Sequence, residues 1–112
     1  MIKYSILIPS YDEYENLKIL IPEILQVLEN YSSYEILVID RMIKDEDTFY
    51  LCQSHKVKYV QRLSGDRYGD AVRTGILESK GNVVIFMDAD GSHDPKEILD
   101  LCEHSKSFDL VV

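Results

Sequence analysis

The sequence predicts an α/β fold, a Rossmann-like three-layer αβα sandwich with a mainly parallel sheet, and two observations carry this prediction. β-branched and aromatic runs of strand length alternate with helical patterns along the 112-residue chain. One run, residues 83–87, is apolar throughout between Gly81 and Gly91, which is typical of a strand buried on both faces of a parallel sheet. Because such strands are joined by right-handed crossovers, the alternation predicts helices on both faces of the sheet.

The predicted elements are five strands and four helices. The strands are predicted over residues 4–8, 34–39, 57–61, 83–87 and 108–112, and the helices over 17–28, 46–55, 68–79 and 95–104. The third helix is predicted to end in a C-cap at Gly81, and the fourth to begin after Asp94, an N-cap in front of Pro95. Gly69 and Gly75 are predicted to allow close packing of the third helix.

Length and charge limit the classes of function. The chain has the length of one domain, and 20 acidic against 12 basic side chains give a formal net charge of -8. This charge repels the phosphate backbone of nucleic acids, so no nucleic-acid binding is expected. Cys52 and Cys102 lie in separate helical patterns, as is typical of reduced core thiols in a cytoplasmic protein. Because the chain ends inside its fifth predicted strand, we expect it to be a truncated first part of a larger domain.

Two acidic residues follow the fourth predicted strand. Asp88 and Asp90 come directly after the apolar run, and the carboxyl ends of strands in open α/β sheets face the ligand crevice. Side chains two positions apart on an extended segment point the same way, so these carboxylates are expected to converge while Ala89 packs behind them. Carboxylate oxygens are hard ligands that suit a divalent cation. The residues alone therefore predict a pocket rim that can hold a metal ion.

Four segments carry a resemblance to a known family. They are ILIPSYDE with ENL (residues 6–13 and 15–17), EILVID (35–40), YGDAVRTG (68–75) and FMDADGSHDP (86–95). In this order and spacing they resemble the inverting family 2 glycosyltransferases of GT-A fold, most closely the N-terminal half of dolichol-phosphate mannose synthases and related polyprenyl-phosphate glycosyltransferases. The resemblance covers the whole chain and implies that residues 1–112 are a single nucleotide-sugar-binding subdomain.

The resemblance implies a nucleotide-sugar donor, a GDP- or UDP-sugar, and a divalent cation, Mg²⁺ or Mn²⁺, clamped to its diphosphate. Such a cation neutralises the charge that develops on the leaving group. The implied metal ligands are Asp88, Asp90 and Ser92. The implied substrate-binding residues are Pro9, Tyr11, Glu13, Asp40, Arg73 and Asp88. Within this set, Asp40 is expected to hydrogen-bond the base and Arg73 to contact phosphate.

The chain departs from the family after the second strand, where the usual sequence is Asp-Asp-Gly-Ser-x-Asp. Asp40 and Asp45 stand at the first and last acids, but Arg41 replaces the second. The base preference is therefore left open. The resemblance places the acceptor side and the catalytic base beyond Val112, so no catalytic residue is assigned. It also implies a lipid-phosphate acceptor and a peripheral place at the cytosolic face of a membrane.

Other interpretations remain open from the residues. Glu13 is equally typical of a first-turn acid that complements a helix dipole, and Tyr11 of a loop aromatic that packs on the core. Segment 86–91 also resembles the nucleophile loop of haloacid-dehalogenase-type phosphatases, although that loop normally follows the first strand of its domain. A third interpretation is a non-catalytic nucleotide-binding or self-associating module that forms a homo-oligomer through its exposed C-terminal strand.

Overall fold

The computed structural model describes residues 2–92, 94–98, 100 and 110–111. Its elements are β1 (Tyr4–Pro9), α1 (Tyr14–Val27), β2 (Tyr34–Asp40), α2 (Glu46–Ser54), β3 (Lys58–Gln61), α3 (Tyr68–Glu78), β4 (Val83–Phe86) and β5 (Leu110–Val111). Half of the helix predicted over 95–104, including Cys102, lies on residues outside this description. Asp94 accepts a hydrogen bond from the backbone N–H of Lys96 at 3.0 Å, which confirms the predicted N-cap contact.

The strands form one parallel sheet in the order β3-β2-β1-β4-β5. Side chains of β1 point alternately to two cores, because successive residues of a strand face opposite sides of the sheet. The larger core packs the sheet against α1 and α2 and includes Ile6, Ile8, Leu17, Ile21, Ile24, Val38, Cys52 and Ile85. The smaller core packs the other face against α3 and consists of Leu7, Leu37, Ile39, Ala71, Val84 and Phe86. The predicted α/β fold with helices on both faces is confirmed.

Gly75 allows α3 to approach the sheet closely. A Cβ atom at this position would lie 2.9 Å from the Cδ1 atoms of both Ile39 and Leu7, so a larger residue would displace core side chains. The prediction of close packing at Gly75 is therefore confirmed. The same prediction for Gly69 is wrong, because no atom lies within 4 Å of a Cβ built there.

Gly81 has a different role from the predicted C-cap. Helix α3 ends at Glu78, and its C-cap residue is Ser79 in an extended conformation. Gly81 instead lies against β1, where its N–H donates to the Ser5 Oγ at 2.8 Å. A Cβ on Gly81 would lie 2.6 Å from that Oγ and 2.8 Å from the Ser5 nitrogen. The glycine is needed for this close approach rather than for ending the helix.

The sheet order reverses at β1, which creates a crevice. From β1 the chain moves to β2 and β3 on one side and then crosses to β4 on the other. The carboxyl ends of β1 and β4 therefore flank the point where ligands bind in open α/β sheets. Within the described part of the chain, no helix combines the length and the apolar character required to cross a membrane.

Candidate functional site

A cavity of about 310 Å³ lies at the carboxyl ends of β1 and β4, within the size range of small-molecule sites. It is lined by Pro9, Ser10, Tyr11, Glu13, Arg62, Tyr68, Asp88, Ala89 and Asp90. Five of the residues predicted from the sequence meet here, namely Pro9, Tyr11, Glu13, Asp88 and Asp90. The predicted residues Asp40, Arg73 and Ser92 are not part of its lining.

The β1 side of the cavity is formed by the end of the strand and the loop that follows it. Pro9 is the last residue of β1, and Tyr11 is 48% exposed, so its ring does not pack in the core. Glu13 directly precedes α1 and accepts a hydrogen bond from the Asn16 Nδ2 at 2.7 Å. Glu13 therefore lines the cavity and also contacts a side chain of the first helical turn, while its role in substrate binding stays a prediction.

The β4 side of the cavity is formed by a turn. The strand ends at Phe86, two residues earlier than the first acid, and residues 89 and 90 lie in a turn. The expectation that strand alternation orients the two acids is therefore wrong, although both still line the cavity. The Asp90 Oδ1 accepts a hydrogen bond from the backbone N–H of Ser92 at 2.9 Å, and Gly91 supplies the positive φ of 81° in this turn.

The acidic pair fits a metal ion that arrives with its ligand. Among the described residues, no three His, Cys, Asp or Glu side chains form a metal-binding group. Mg²⁺ and similar cations are commonly held by one or two carboxylates, with waters and substrate phosphates completing the shell. Asp88 and Asp90 supply that number of carboxylates at one cavity. Ser92 is exposed, and its backbone N–H donates to Asp90.

Asp40, predicted to hydrogen-bond the base, lies behind the cavity lining. It is 1% exposed, and both of its carboxylate oxygens are engaged. The Ser10 Oγ donates to the Asp40 Oδ1 at 3.3 Å, and the Tyr59 hydroxyl donates to the Oδ2 at 2.8 Å. Burial raises the pKa of Asp40 above its usual value, while these hydrogen bonds act in the opposite direction. Asp40 therefore links β2 to Tyr59 and holds the hydroxyl of Ser10, and Ser10 in turn lines the cavity.

Neighbouring strands supply the surroundings of Asp40. Tyr59 stands opposite Val38 in the β2–β3 register, and its hydroxyl also accepts a hydrogen bond from the Asp45 N–H at 3.0 Å. Burial, together with Asp40, raises the pKa of Tyr59, so the hydroxyl keeps its proton and remains a donor.

Burial and the charge of Asp40 raise the pKa of the Cys52 thiol to about 12. Cys52 is the buried core thiol that the sequence predicts.

Arg41, which replaces the family's second acid, is engaged by the chain itself. Its Nη1 forms an ion pair with the Asp12 Oδ1 at 2.6 Å, and its Nε donates to the Ile43 carbonyl at 2.9 Å. Asp12 has a positive φ of 55°, a conformation that aspartate tolerates better than most residues. Arg41 therefore joins the loop after β2 to the loop after β1.

Arg73 lies at a second cavity, of about 470 Å³, beside the start of α3. This cavity is lined by Ser64, Gly65, Asp66, Arg67, Gly69, Asp70 and Arg73. The Arg73 Nη2 is 3.8 Å from the Asp70 Oδ1, one helical turn away. The structure therefore does not bring the predicted phosphate contact to the cavity that holds the acidic pair.

Arg62 is the main residue of the cavity that the sequence did not indicate. It is 7% exposed, and its guanidinium donates to three backbone carbonyls. The Nη2 reaches the Ser10 carbonyl at 2.7 Å, while the Nη1 reaches those of Asp66 and Arg67 at 2.7 and 3.1 Å. Arg62 directly follows β3, and this place at the carboxyl edge of the sheet was the available signal. Tyr68, the first residue of α3, was missed as well.

Comparison with known proteins gives one family. The family model of glycosyl transferase family 2 matches residues 5–112. The chain is 36% identical over 108 residues to a dolichol-phosphate mannosyltransferase of Pyrococcus furiosus, covering 94% of this chain and 30% of that protein. It is 33% identical over 100 residues to a dolichyl-phosphate β-glucosyltransferase of Homo sapiens, covering 79% of this chain and 31% of that protein. The chain thus spans less than a third of either relative.

Solved structures share the fold. A mannosyl-3-phosphoglycerate synthase from Rubrobacter xylanophilus superposes with a TM-score of 0.68 at 24% identity, covering 83% of this chain and 32% of that one. A glucosyl-3-phosphoglycerate synthase from Mycobacterium tuberculosis, in complex with Mn²⁺, UDP and phosphoglyceric acid, gives 0.66 at 20% identity, covering 78% and 32%. The predicted GT-A, Rossmann-like fold is confirmed. Given the family match along residues 5–112, the chain belongs to glycosyl transferase family 2.

Proposed function

We propose that the chain binds a nucleotide-sugar donor in the cavity between the ends of β1 and β4, as the donor-binding part of a glycosyltransferase. The observation that carries the proposal is the meeting of Tyr11, Asp88 and Asp90 in one cavity at the point where the sheet order reverses. An exposed aromatic ring suits stacking on a base, and carboxylates suit a cation and sugar hydroxyls. Family membership supports this proposal and replaces the phosphatase interpretation.

A divalent cation, Mg²⁺ or Mn²⁺, is part of the proposal. Asp88 and Asp90, with Ser92, would hold the cation, and when bound it would neutralise charge on the departing diphosphate. The hydrogen bond from the Ser92 N–H holds the Asp90 carboxylate in one orientation, which lowers the entropy lost on binding. The Mn²⁺ and UDP bound to the Mycobacterium tuberculosis enzyme support this choice of ligands.

Calorimetric titration of the chain with GDP-mannose and UDP-glucose, with and without Mn²⁺, tests the proposal. We expect at least one donor to bind, and Mn²⁺ to strengthen its binding. Asp90→Asn keeps the size and the turn hydrogen bond but removes the charge, so it should weaken Mn²⁺-dependent binding about tenfold or more. Asp94→Asn is the matched control, because Asp94 lies outside the cavity and asparagine is an equal N-cap. Absence of donor binding, or equal effects of both variants, would contradict the proposal.

For the acceptor, we propose a polyprenyl phosphate, reached by a cytoplasmic protein at the cytosolic face of a membrane. The support is the naming of both relatives as transferases of dolichol or dolichyl phosphate. Because no catalytic residue is assigned in this chain, the test is one of binding: with GDP or UDP and Mn²⁺ present, the chain should bind vesicles that contain dolichyl phosphate more tightly than vesicles that lack it. Equal binding to both kinds of vesicle would contradict this assignment.

Self-association stays a prediction. β5 is an edge strand of the described sheet, and an unpaired edge can add a strand from a second copy. Light scattering that gives twice the mass of 13.0 kDa would support a dimer. A monomer at all concentrations would contradict it.

A further inference from the structure

We infer that Arg62 is the fixed cation of the donor cavity and that its charge supplies a metal-independent share of the affinity for a nucleoside diphosphate. This inference rests on the proposed function, since it concerns the same cavity. Arg62 lies outside all four segments that carry the family resemblance. It directly follows β3, and no residue of β3 itself lines the cavity.

The guanidinium of Arg62 is fixed in place. Three backbone carbonyls, those of Ser10, Asp66 and Arg67, accept its hydrogen bonds from two separate loops. Its Cζ also lies 5.7 Å from the centroid of the Tyr11 ring. A guanidinium keeps its charge at any pH at which a protein is folded, so burial does not neutralise it. The cavity therefore holds a positive charge whose position is set before a ligand binds.

The charge of Arg62 lacks a counter-ion in the described part of the chain. Every hydrogen bond that it makes there goes to a neutral carbonyl, and none of the ion pairs there includes it. Its buried Nε has no hydrogen-bond partner among those residues either. Buried charges in proteins are normally paired, because an unpaired one is costly to desolvate. The carboxylates that line the same cavity form none of these ion pairs with Arg62, so an anionic ligand bound against the guanidinium would supply the direct partner.

The other charges of the lining explain why this cation is needed. Glu13, Asp88 and Asp90 are acidic, and Arg62 is the single basic residue among the described residues that line the cavity. Without a metal ion, the acidic residues repel a diphosphate. Among the described lining residues, Arg62 is then the one cation that attracts the diphosphate, whereas a bound metal would act through Asp88 and Asp90. The two contributions should therefore be separable by removing either the metal ion or Arg62.

Calorimetric titration in EDTA and low salt, with UDP, GDP and their uncharged nucleosides, separates the contribution of the diphosphate charge to affinity from that of the base and ribose. We expect the native chain to bind one diphosphate more tightly than its nucleoside. Arg62→Met should lower the diphosphate affinity roughly tenfold, as for other lost interactions with a charged group, and leave nucleoside binding within about twofold. Arg62→Lys keeps the charge and loses the three-carbonyl contact, so it should restore most of the diphosphate affinity. Arg67→Met, which removes a cation outside the cavity, should change neither affinity.

A purely structural role for Arg62 would give the opposite pattern. Equal losses for nucleoside and diphosphate, or no rescue by Arg62→Lys, would overturn the inference. If Arg62→Met does not fold, the Arg62 Nε–H signal in NMR spectra of the native chain provides the test. It should shift with diphosphate in EDTA and not with nucleoside, and an unchanged signal overturns the inference. If the inference about Arg62 fails but the chain still binds nucleotide in the presence of Mn²⁺, the proposed function stands. If the chain binds no nucleotide under any condition, the inference and the proposed function are both overturned.

Discussion

The ends of β2 and β4 carry aspartates at the same edge of one sheet, yet the structure places them in opposite surroundings. Asp40 at the end of β2 is 1% exposed, and two neighbouring hydroxyls bind its carboxylate. Asp88 and Asp90 follow β4 and line a cavity. β2 lies between β1 and β3. Ser10 directly follows β1 and Tyr59 belongs to β3, whereas β4 adjoins the point where the sheet order reverses. An acid at a strand end is thus buried where neighbouring strands cover it and lines a cavity where the sheet order reverses.

The largest stability difference between the two strand ends should come from truncation. Asp40→Ala leaves the hydroxyls of Ser10 and Tyr59 without their buried acceptor, so we expect the free energy of unfolding to fall by about 1–3 kcal/mol. Asp90→Ala removes an exposed side chain whose hydrogen bond from the Ser92 N–H water can replace, so it should lower the free energy of unfolding by less than about 1 kcal/mol. Urea unfolding followed by circular dichroism measures both. Equal losses would show that the two ends are not distinguished by burial.

A smaller effect should follow from removing one donor to Asp40. Tyr59→Phe deletes the hydroxyl that links Asp40 to the Asp45 N–H, and should cost about 0.5–1.5 kcal/mol of unfolding free energy. Nucleotide affinity should not change, because Tyr59 does not line the cavity. Tyr50→Phe, at an exposed position on α2, is the control for loss of a hydroxyl. A loss of nucleotide affinity in Tyr59→Phe without a loss of stability would place the Asp40 site in binding instead.

The smallest effect should appear in the pH dependence of stability. Burial raises the pKa of Asp40 in the folded state, so the folded chain holds this proton more tightly than the unfolded chain. The stability that this carboxyl contributes is complete below its unfolded pKa and is lost as the pH rises through the folded pKa. Asp40→Asn cannot ionise, so its stability relative to the native chain should improve as the pH rises above about 4. A constant difference from pH 3 to 7 would contradict this sign.

Much of the fold follows from the sequence because its signals are local. The apolar runs predict four of the strands to within two residues, and the alternation with helices predicts the parallel sheet. The predicted C-cap at Gly81 is wrong, because a glycine after a helix is typical of a C-cap, whereas the contact that requires this glycine is with Ser5 of β1. The predicted geometry of the acids failed because β4 ends at Phe86 and a turn follows.

The cavity residues that belong to one continuous segment could be predicted from the sequence. Contacts between residues of separate strands could not. Asp88 and Asp90 belong to one motif, so the sequence located them. Whether Asp40 faces a ligand depends on Tyr59, which comes from the neighbouring strand 19 residues later. Arg62 contacts a residue 52 positions away in the sequence. A single arginine after a short strand forms no sequence pattern from which this contact could be predicted.

The comparison of Asp90→Asn with Asp40→Asn in Mn²⁺-dependent nucleotide binding tests the central claim most directly. Both changes remove one carboxylate charge and keep the side-chain size, at two ends of the same sheet edge. With UDP or GDP and Mn²⁺, Asp90→Asn should reduce the affinity about 10- to 100-fold, to the value that the native chain shows in EDTA. Asp40→Asn should stay within about threefold of the native chain. The reverse order, or equal losses in both variants, would contradict the assignment of the donor and cation site to the end of β4.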